Sequence, residues 1–206
     1  MNISIIAAIN DPEMWHDTVV KYKDLANDPQ ALEFLAYTPK TDWGIAETYN
    51  EGIEDANKES LRIFTHQDAY PLEESWDTKL LKFSDNRRIG IIGFAGSTAV
   101  PISGMWWSHG EKYGGLSQGG SPLTFQKPPA QVRIIDGFCF AVTSDVTELK
   151  KFDTSYGGFH FYDLDYCLQC HKQVWVADIM MEHMSHGNIN DDWKKARDIF
   201  KKKWHY

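Results

Sequence analysis

ISIIAAINDP, residues 3–12, decides how the rest of the chain is interpreted. Its apolar run covers residues 3–9 and stops at Asn10, Asp11 and Pro12, as a strand buried on both faces stops at a turn. This first strand begins an alternation that predicts the α/β class, with a mostly parallel central sheet and helices on both faces. The alternating segments are predicted as helices over 13–27, 47–58 and 72–84 and as strands over 32–37, 60–65 and 88–94.

The second half of the chain is less regular. Residues 96–129 are rich in Gly, Ser, Pro and Trp, and loops of this length in a compact domain commonly serve as lids or binding loops. Trp106 and Trp107 lie in this stretch, where their rings could stack on a sugar or pack in the core. Beyond it we predict strands over 133–142 and 175–180 and helices over 163–172 and 190–204.

Composition and charge narrow the class of protein. The chain has 206 residues, a net charge of −8 and an aromatic surplus that includes 8 Trp and 9 Tyr. The negative charge argues against nucleic acid as a partner, and the aromatic residues suit a pocket for planar or sugar rings or a large core. Three cysteines without framework spacing indicate a reducing compartment, and the first apolar run is too short for a signal peptide or a membrane span. We therefore expect a cytoplasmic protein.

Polar side chains follow three of the predicted strands. Ligands of open α/β sheets bind at the carboxyl ends of the strands, so these side chains could converge on one crevice. A carboxylate such as Asp68, next to a second polar side chain, can hold a divalent cation against a diphosphate, although an exposed loop would show the same pattern. The strand-end residues are Asn10 and Asp11, Tyr37 and Thr38, and His66, Gln67 and Asp68.

The segment YDLDYCLQCHKQ, residues 162–173, permits several interpretations. Cys167 and Cys170 followed by His171 have the spacing of a c-type haem attachment site, but that attachment normally follows export. With His183 and His186, the same cysteines approach a zinc finger, although the H-x2-H spacing is shorter than a finger helix requires. Small helix residues facing the core are the plainer explanation of both cysteines.

The same segment carries two carboxylates at the start of a predicted helix. Asp163 and Asp165 lie where the helix dipole and the free N–H groups stabilise negative charge. One of them could simply cap the helix, or the pair could serve catalysis.

Taken in order, these segments resemble the GT-A glycosyltransferases of the family 2 type. Within them the chain is most similar to the short glycosyltransferase-like branch that includes the streptomycin-biosynthesis type. The resemblance spans nearly the whole chain. It is carried by ISIIAAIND (3–11), ETYNEGIEDA (47–56), IFTHQDAYP (63–71), RIIDGFCFAV (133–142), FDTSYGGFHFYDLDYCLQC (152–170) and HMSHG (183–187).

The resemblance implies a single GT-A-like domain with functional parts. Residues 1–95 would form the nucleotide-binding half, residues 96–189 the acceptor and catalytic half, and residues 190–206 a basic C-terminal helix. The donor-site residues that it implies are Asn10, Asp11, Thr38, Asn50, Gly52, His66, Gln67 and Asp68, of which His66, Gln67 and Asp68 stand where the family has its D-x-D.

The resemblance also implies roles in the second half. Asp163 aligns with the catalytic base, and Asp68 and His183 would hold Mn²⁺ or Mg²⁺ on a nucleotide diphosphate. Tyr162 replaces an acidic residue of the family pattern, and Gln169 stands where the family often has Arg. The acceptor and sugar pocket would include Trp106, Trp107, Asp136, Gly137 and Asp165.

The implied function is transfer of a sugar from a nucleotide-diphosphate donor, with UDP as the first expectation and GDP or dTDP open, to the hydroxyl of an unknown acceptor. Inversion at the sugar is expected, with Asp163 as the general base. The alternative is a GT-A-like module that binds a nucleotide sugar or glycan without turnover. The basic tail, 190–206, could pack on its own domain or contact the inner face of a membrane.

Overall fold

The computed structural model describes residues 2–101, 103–187 and 189–206. The strands are β1 (Ile3–Ala8), β2 (Leu32–Tyr37), β3 (Leu61–His66), β4 (Ala69–Pro71), β5 (Ile89–Gly93), β6 (Ala95–Ser97), β7 (Lys112–Gln118), β8 (Ser121–Thr124), β9 (Ala130–Val132), β10 (Ile134–Ile135), β11 (Cys139–Val142), β12 (Gln173–Val176) and β13 (Met181–His183). The helices are α1 (Pro12–Asp24), α2 (Ile45–Asp55), α3 (Trp76–Ser84), α4 (Ser144–Leu149), α5 (Tyr162–Gln169) and α6 (Asp191–Trp204).

The central sheet has the strand order β2-β1-β3-β11-β5-β12-β9. In the part of the chain that the structure describes, five of its seven strands run in one direction, and β11 and β9 run in the other. The prediction of a mostly parallel sheet is confirmed. A second sheet, in the order β10-β6-β7-β13-β4 with β8 paired to β7, extends from it.

Helices cover both faces of the central sheet, as predicted. On one face, Tyr22 of α1 packs edge-on against Phe34 of β2, with 6.2 Å between ring centroids. On the opposite face, Tyr49 of α2 packs against Phe64 of β3 at 5.0 Å. Successive side chains along a strand point to opposite faces of the sheet. Because β1 is covered by helices on both faces, nearly all of its side chains are apolar.

The two sheets meet at a turn that the sequence pattern did not reveal. The predicted strand over 133–142 divides into β10, which pairs with β6 of the second sheet, and β11, which pairs with β3 and β5 of the central sheet. The turn between them contains Asp136 and Gly137. Pairing with two different sheets therefore breaks the strand and places these two residues where the chain crosses over.

Other predicted boundaries also change. Residues 69–71 pair with β13, so the helix predicted from residue 72 begins only at Trp76. The strand predicted over 175–180 ends at Val176, and the chain forms β13 after a break. The predicted loop over 96–129 contains the β7–β8 hairpin, because its Gly119-Gly120 pair adopts the positive φ angles that a tight turn requires.

The C-terminal helix α6 packs on its own domain. Its side chains Ala196 and Phe200 are buried, and Phe161 contacts both Trp193 and Phe200, with centroids 5.4 and 5.2 Å apart. The apolar side of α6 therefore faces its own domain, although Trp193, Ile199 and Trp204 are only partly buried. Contact of this helix with a membrane stays a prediction. Within the described residues, no helix combines the length and the apolar character needed to cross a bilayer.

Asp165 holds α6 to the rest of the domain. Its fully buried carboxylate accepts hydrogen bonds from Tyr156 Oη at 2.8 Å, Trp204 Nε1 at 2.8 Å, Gln169 Nε2 at 2.5 Å and Lys203 Nζ at 3.0 Å. The expectation that Asp165 belongs to the sugar pocket is therefore wrong. Its hydrogen bonds join α5 to α6, through Lys203 and Trp204, and to Tyr156 in the segment before α5.

Replacing Asp165 with Ala is expected to lower the free energy of unfolding by about 3 kcal/mol, because it leaves the Tyr156 hydroxyl and the Trp204 indole N–H without their acceptor. Urea denaturation followed by tryptophan fluorescence measures this. Asp192→Ala is the matched control, since that carboxylate pairs with Lys195 on the exposed surface and its loss should change the stability little. Equal, small effects of both substitutions would contradict the assignment of Asp165 as a packing centre.

Candidate active site

Three metal-capable side chains meet at the end of β3. His66 Nδ1 lies 3.2 Å from His183 Nε2, and His183 Nε2 lies 3.8 Å from Asp68 Oδ1. Their ligand atoms all lie within 4.8 Å of one another, and no other such group of three His, Cys, Asp or Glu occurs among the residues described. The pairing of β13 with β4 sets His183 opposite Ala69, next to Asp68. Strand pairing thus joins residues 117 positions apart.

The surrounding residues fix this cluster in place. The backbone N–H of Ser185 donates to Asp68 Oδ2 at 2.8 Å, and the ring of Phe138 stacks on His183 with centroids 5.1 Å apart. Asp68 and His183 are only 5% and 7% exposed. The three side chains are therefore held together before any ligand arrives.

Tyr162 determines which nitrogen of His66 carries the proton. Its hydroxyl donates to the carbonyl oxygen of Gly137 at 2.7 Å, and a carbonyl can only accept. The contact of 3.1 Å between Tyr162 Oη and His66 Nε2 must then have Nε2–H as the donor. Burial, and next the neighbouring His183, lower the pKa of His66, so its ring is neutral at pH 7. The lone pair of His66 therefore lies on Nδ1 and faces His183.

Replacing Tyr162 with Phe is expected to weaken divalent-metal binding about 10- to 100-fold, because the His66 tautomer is no longer fixed. The measurement is a Mn²⁺ titration followed by electron paramagnetic resonance. Tyr166→Phe is the matched control, since the Tyr166 hydroxyl donates to the carbonyl of Lys150 and does not contact the cluster. Equal metal affinities in the two variants would show that Tyr162 has no role beyond packing.

Asp163 lies in the first turn of α5, against the crossover turn. A Cβ atom added at Gly137 would lie 2.7 Å from both Cβ and Oδ2 of Asp163, so only glycine allows this approach. Burial, followed by the charge of Asp136, raises the pKa of Asp163 to about 7, although backbone N–H groups at the helix start oppose the shift. The site thus holds a carboxylate that changes charge near neutral pH.

The same cavity, of about 720 Å³, reaches both groups. His66, His183 and Asp163 line it, and so do four residues predicted for the acceptor pocket, Trp106, Trp107, Asp136 and Gly137. Burial raises the pKa of Asp136, and the nearby His183 and Trp106 oppose this rise. The indole N–H of Trp106 is buried and makes no hydrogen bond of normal geometry.

Some predicted donor residues stabilise the fold instead of facing the cavity. The Asn50 amide clamps the backbone N–H and C=O of Phe152, both at 2.9 Å. Gly52 lets α2 approach β1, since a Cβ there would lie 2.3 Å from Cγ2 of Ile6. Asn50 and Gly52 thus have packing roles, and their direct contact with a donor stays a prediction.

The loop after β1 is tied to the loop after β3. Gln67 Oε1 accepts from the backbone N–H groups of Asn10 and Asp11 at 2.8 and 3.0 Å, and Gln67 Nε2 donates to Asn10 Oδ1 at 2.7 Å. The Asp11 carboxylate caps α1 by accepting from two N–H groups of its first turn. Thr38 is exposed at the end of β2. These residues lie at the carboxyl ends of adjacent strands, outside the cavity itself.

The comparison with protein families decides the classification. Residues 4–204 match the model described as the glycosyltransferase-like family. The chain belongs to this family. No curated protein matches its sequence.

Solved structures show the fold of this glycosyltransferase-like chain. GalNAc-T7, solved with UDP, GalNAc and Mn²⁺, superposes with a TM-score of 0.70 and 11% identity over 98% of this chain and 48% of its own length. The mannosyltransferase PcManGT from Pyrobaculum calidifontis, in complex with GDP-Man and Mn²⁺, gives 0.60 and 12% over 99% of this chain and 64% of its own. A197 from STIV gives 0.52 and 9%, over 92% and 98%. The fold is a single GT-A α/β domain, and this chain spans about half of the first neighbour.

Sequence reasoning missed part of the cavity wall of this glycosyltransferase-like chain. His160, Phe159 and Phe161 line it from the segment before α5, and Trp193 lines it from α6. Phe161 adopts a positive φ of 66°, which redirects the chain into the helix. The sequence carried no signal for the residues before α5, because a short irregular segment has no periodicity from which its inward side can be read. Trp193 lies in a predicted helix, but the helical pattern did not show that it would face this cavity.

The cysteines do not form a metal site. Cys167 is buried, Cys170 is partly buried, and neither joins a cluster of metal-capable side chains among the described residues. Burial raises the pKa of both thiols, so neither is readily available as the thiolate that binds zinc. The zinc-finger interpretation is excluded on this geometry, and the cysteines of this family member serve packing.

Proposed function

We propose that this protein is a metal-dependent glycosyltransferase that moves a sugar from a nucleotide-diphosphate donor to an acceptor hydroxyl. One observation carries the proposal. A single cavity is lined by the two histidines of the His66, Asp68 and His183 cluster and by a buried carboxylate, Asp163, whose pKa burial raises to about 7. Within the family, we place the chain in the short branch that includes the streptomycin-biosynthesis type, on the sequence segments alone.

The cluster fits Mn²⁺ better than Mg²⁺. Two of its three donors are imidazole nitrogens, which suit transition metals, whereas Mg²⁺ prefers an oxygen shell. The lone pair fixed on His66 Nδ1, the Asp68 carboxylate and His183 Nε2 would hold the ion. When bound, the ion neutralises charge on the departing diphosphate.

The donor is proposed to lie over residues 1–95, along the carboxyl ends of β1, β2 and β3. Asn10, Asp11 and Thr38 stand at those ends, and Gln67 fixes the first loop against the third. Residues 96–189 would then form the acceptor and catalytic half. UDP is our first choice of base and GDP the second, since the neighbours GalNAc-T7 and PcManGT were solved with UDP and GDP-Man.

Asp163 is proposed as the general base. Its ionised carboxylate takes the proton of the acceptor hydroxyl as that oxygen bonds to the anomeric carbon and the bond to the diphosphate breaks. A raised pKa makes this carboxylate a stronger base than an ordinary aspartate. Attack opposite the leaving group inverts the anomeric configuration.

Calorimetric titration of UDP and GDP, with and without Mn²⁺, tests the proposal. We expect one nucleotide to bind only with Mn²⁺, and the matching nucleotide sugars would then be assayed for transfer. Proton NMR of the product reports the anomeric configuration. Nucleotide binding without transfer to any acceptor tried would favour the non-catalytic binding module, and absence of binding would contradict the donor site.

A further inference from the structure

The mouth of the cavity is lined by exposed apolar side chains. Trp107, Leu123, Phe159 and Ile189 are 51%, 43%, 50% and 54% exposed, and all four line this cavity. We call these four side chains the apolar rim. They come from four separate segments, namely the turn at 106–108, strand β8, the segment before α5 and the segment before α6.

The four side chains of the apolar rim surround one opening, which distinguishes them from apolar residues scattered over an ordinary protein surface. Single exposed apolar residues are normal on a soluble protein, but grouped ones around an opening mark a binding site. Exposing them together carries a cost in hydration that a ligand would remove. The concave shape of the cavity fits a small molecule, not a flat partner surface.

The charged residues that line the cavity indicate which chemical class of ligand it accepts. Among the described residues lining the cavity, Lys112 is the only lysine or arginine, whereas two aspartates, Asp136 and Asp163, line it. A phosphorylated or carboxylated acceptor would need more cationic partners near its anion. The lining of the cavity combines a few polar groups, among them Asp136, Asp163 and His183, with apolar side chains, and the exposed rim is apolar. The complementary molecule is therefore an uncharged amphiphile.

Resting on the proposed function, the geometry points to an acceptor that is an uncharged glycoside or alcohol with an apolar aglycone. Its hydroxyl end would reach Asp163, and its apolar end would lie against Trp107, Phe159 and the rest of the apolar rim. The inference concerns the acceptor alone and does not depend on which nucleotide is the donor.

Methyl, hexyl and octyl β-glucoside, each below its micelle concentration, are the probes. Binding is measured by calorimetry on the protein alone and on the protein loaded with Mn²⁺ and the nucleotide that it binds. We expect affinity to rise with chain length, by about fourfold for each CH₂ group that is fully buried. The double variant Trp107→Ala/Phe159→Ala should bind octyl glucoside at least about tenfold more weakly than the unaltered protein.

Leu149→Ala is the matched control, because Leu149 is 68% exposed and lies outside the cavity. It should keep the chain-length dependence. An equal loss in this control, or affinity independent of chain length, would overturn the inference. So would tight binding to neutral phosphatidylcholine vesicles in place of the glycosides.

The two proposals fail in different ways. If the protein binds a nucleotide in the presence of Mn²⁺ but its affinity for the glucosides does not depend on alkyl chain length, the amphiphilic acceptor is rejected and the transferase proposal stands. If the protein binds no nucleotide but its glucoside affinity rises with alkyl chain length, and the double variant loses this rise, the amphiphile site is supported and the transferase proposal is rejected.

Discussion

Replacing Asp163 with Asn is expected to lower the rate of sugar transfer by about 10²–10⁴-fold, the usual contribution of a general base. Asn has nearly the same shape as Asp, so it keeps the close approach to Gly137, but it cannot take the acceptor proton. Donor affinity should change little, because the metal cluster and the ends of the first three strands are untouched. Initial rates and nucleotide calorimetry on the same preparation measure both quantities.

The pH dependence gives this prediction a second measurement. The pKa of Asp163 is about 7, so transfer by the unaltered protein should rise with pH up to about 7 and then level off. Any residual transfer by Asp163→Asn should lack this limb. Unchanged rates in the variant, or the same pH profile, would show that another group accepts the proton.

Asp163→Asn should also stabilise the fold at high pH. In the folded protein the pKa lies near 7, above the ordinary value of 3.8, so the folded state binds the proton more tightly than the unfolded chain. The free energy of unfolding therefore falls as pH rises between those values, by about 1.4 kcal/mol per pH unit at most. Urea denaturation at pH 4 and pH 8 measures this. Relative to the unaltered protein, the free energy of unfolding of the variant should be higher at pH 8 than at pH 4. Asp178→Asn, on the exposed surface, is the control and should show no such gain.

Replacing Asp68 with Ala is expected to abolish metal-dependent nucleotide binding. Asp68 is the only anionic member of the cluster, and losing a direct ligand should exceed the roughly 10- to 100-fold loss of metal affinity typical of residues behind the ligands. Electron paramagnetic resonance of free Mn²⁺ measures metal binding, and calorimetry measures the nucleotide.

Two further variants distinguish a loss of metal binding from a disturbance of the fold. Asp68→Asn keeps an oxygen that can accept from the backbone N–H of Ser185, so the loop should stay in place while metal affinity falls. His183→Ala removes a second ligand and should give a comparable loss. If Asp68→Ala binds Mn²⁺ and nucleotide as the unaltered protein does, the metal centre lies elsewhere or plays no part.

Local sequence patterns determined the early part of the fold. The apolar run over residues 3–9 predicted β1 because a strand covered on both faces has no polar side. Asp11 and Pro12 marked the start of α1, since an N-cap carboxylate and a proline in the first turn suit the free N–H groups there. His66 and Asp68 were found as candidates because they directly follow a recognisable strand.

Only the tertiary structure decided how the candidate site is assembled. Asp163 and Asp165 are two positions apart and look alike in the sequence, yet a helix turns them about 200° apart, one to the cavity and the other to α6. The crossover turn at Gly137 and its bond to Tyr162 depend on which sheet each strand joins. His183 reaches Asp68 only through strand pairing. The first of these contacts joins residues 25 positions apart and the second joins residues 115 positions apart, and local periodicity carries no information about either.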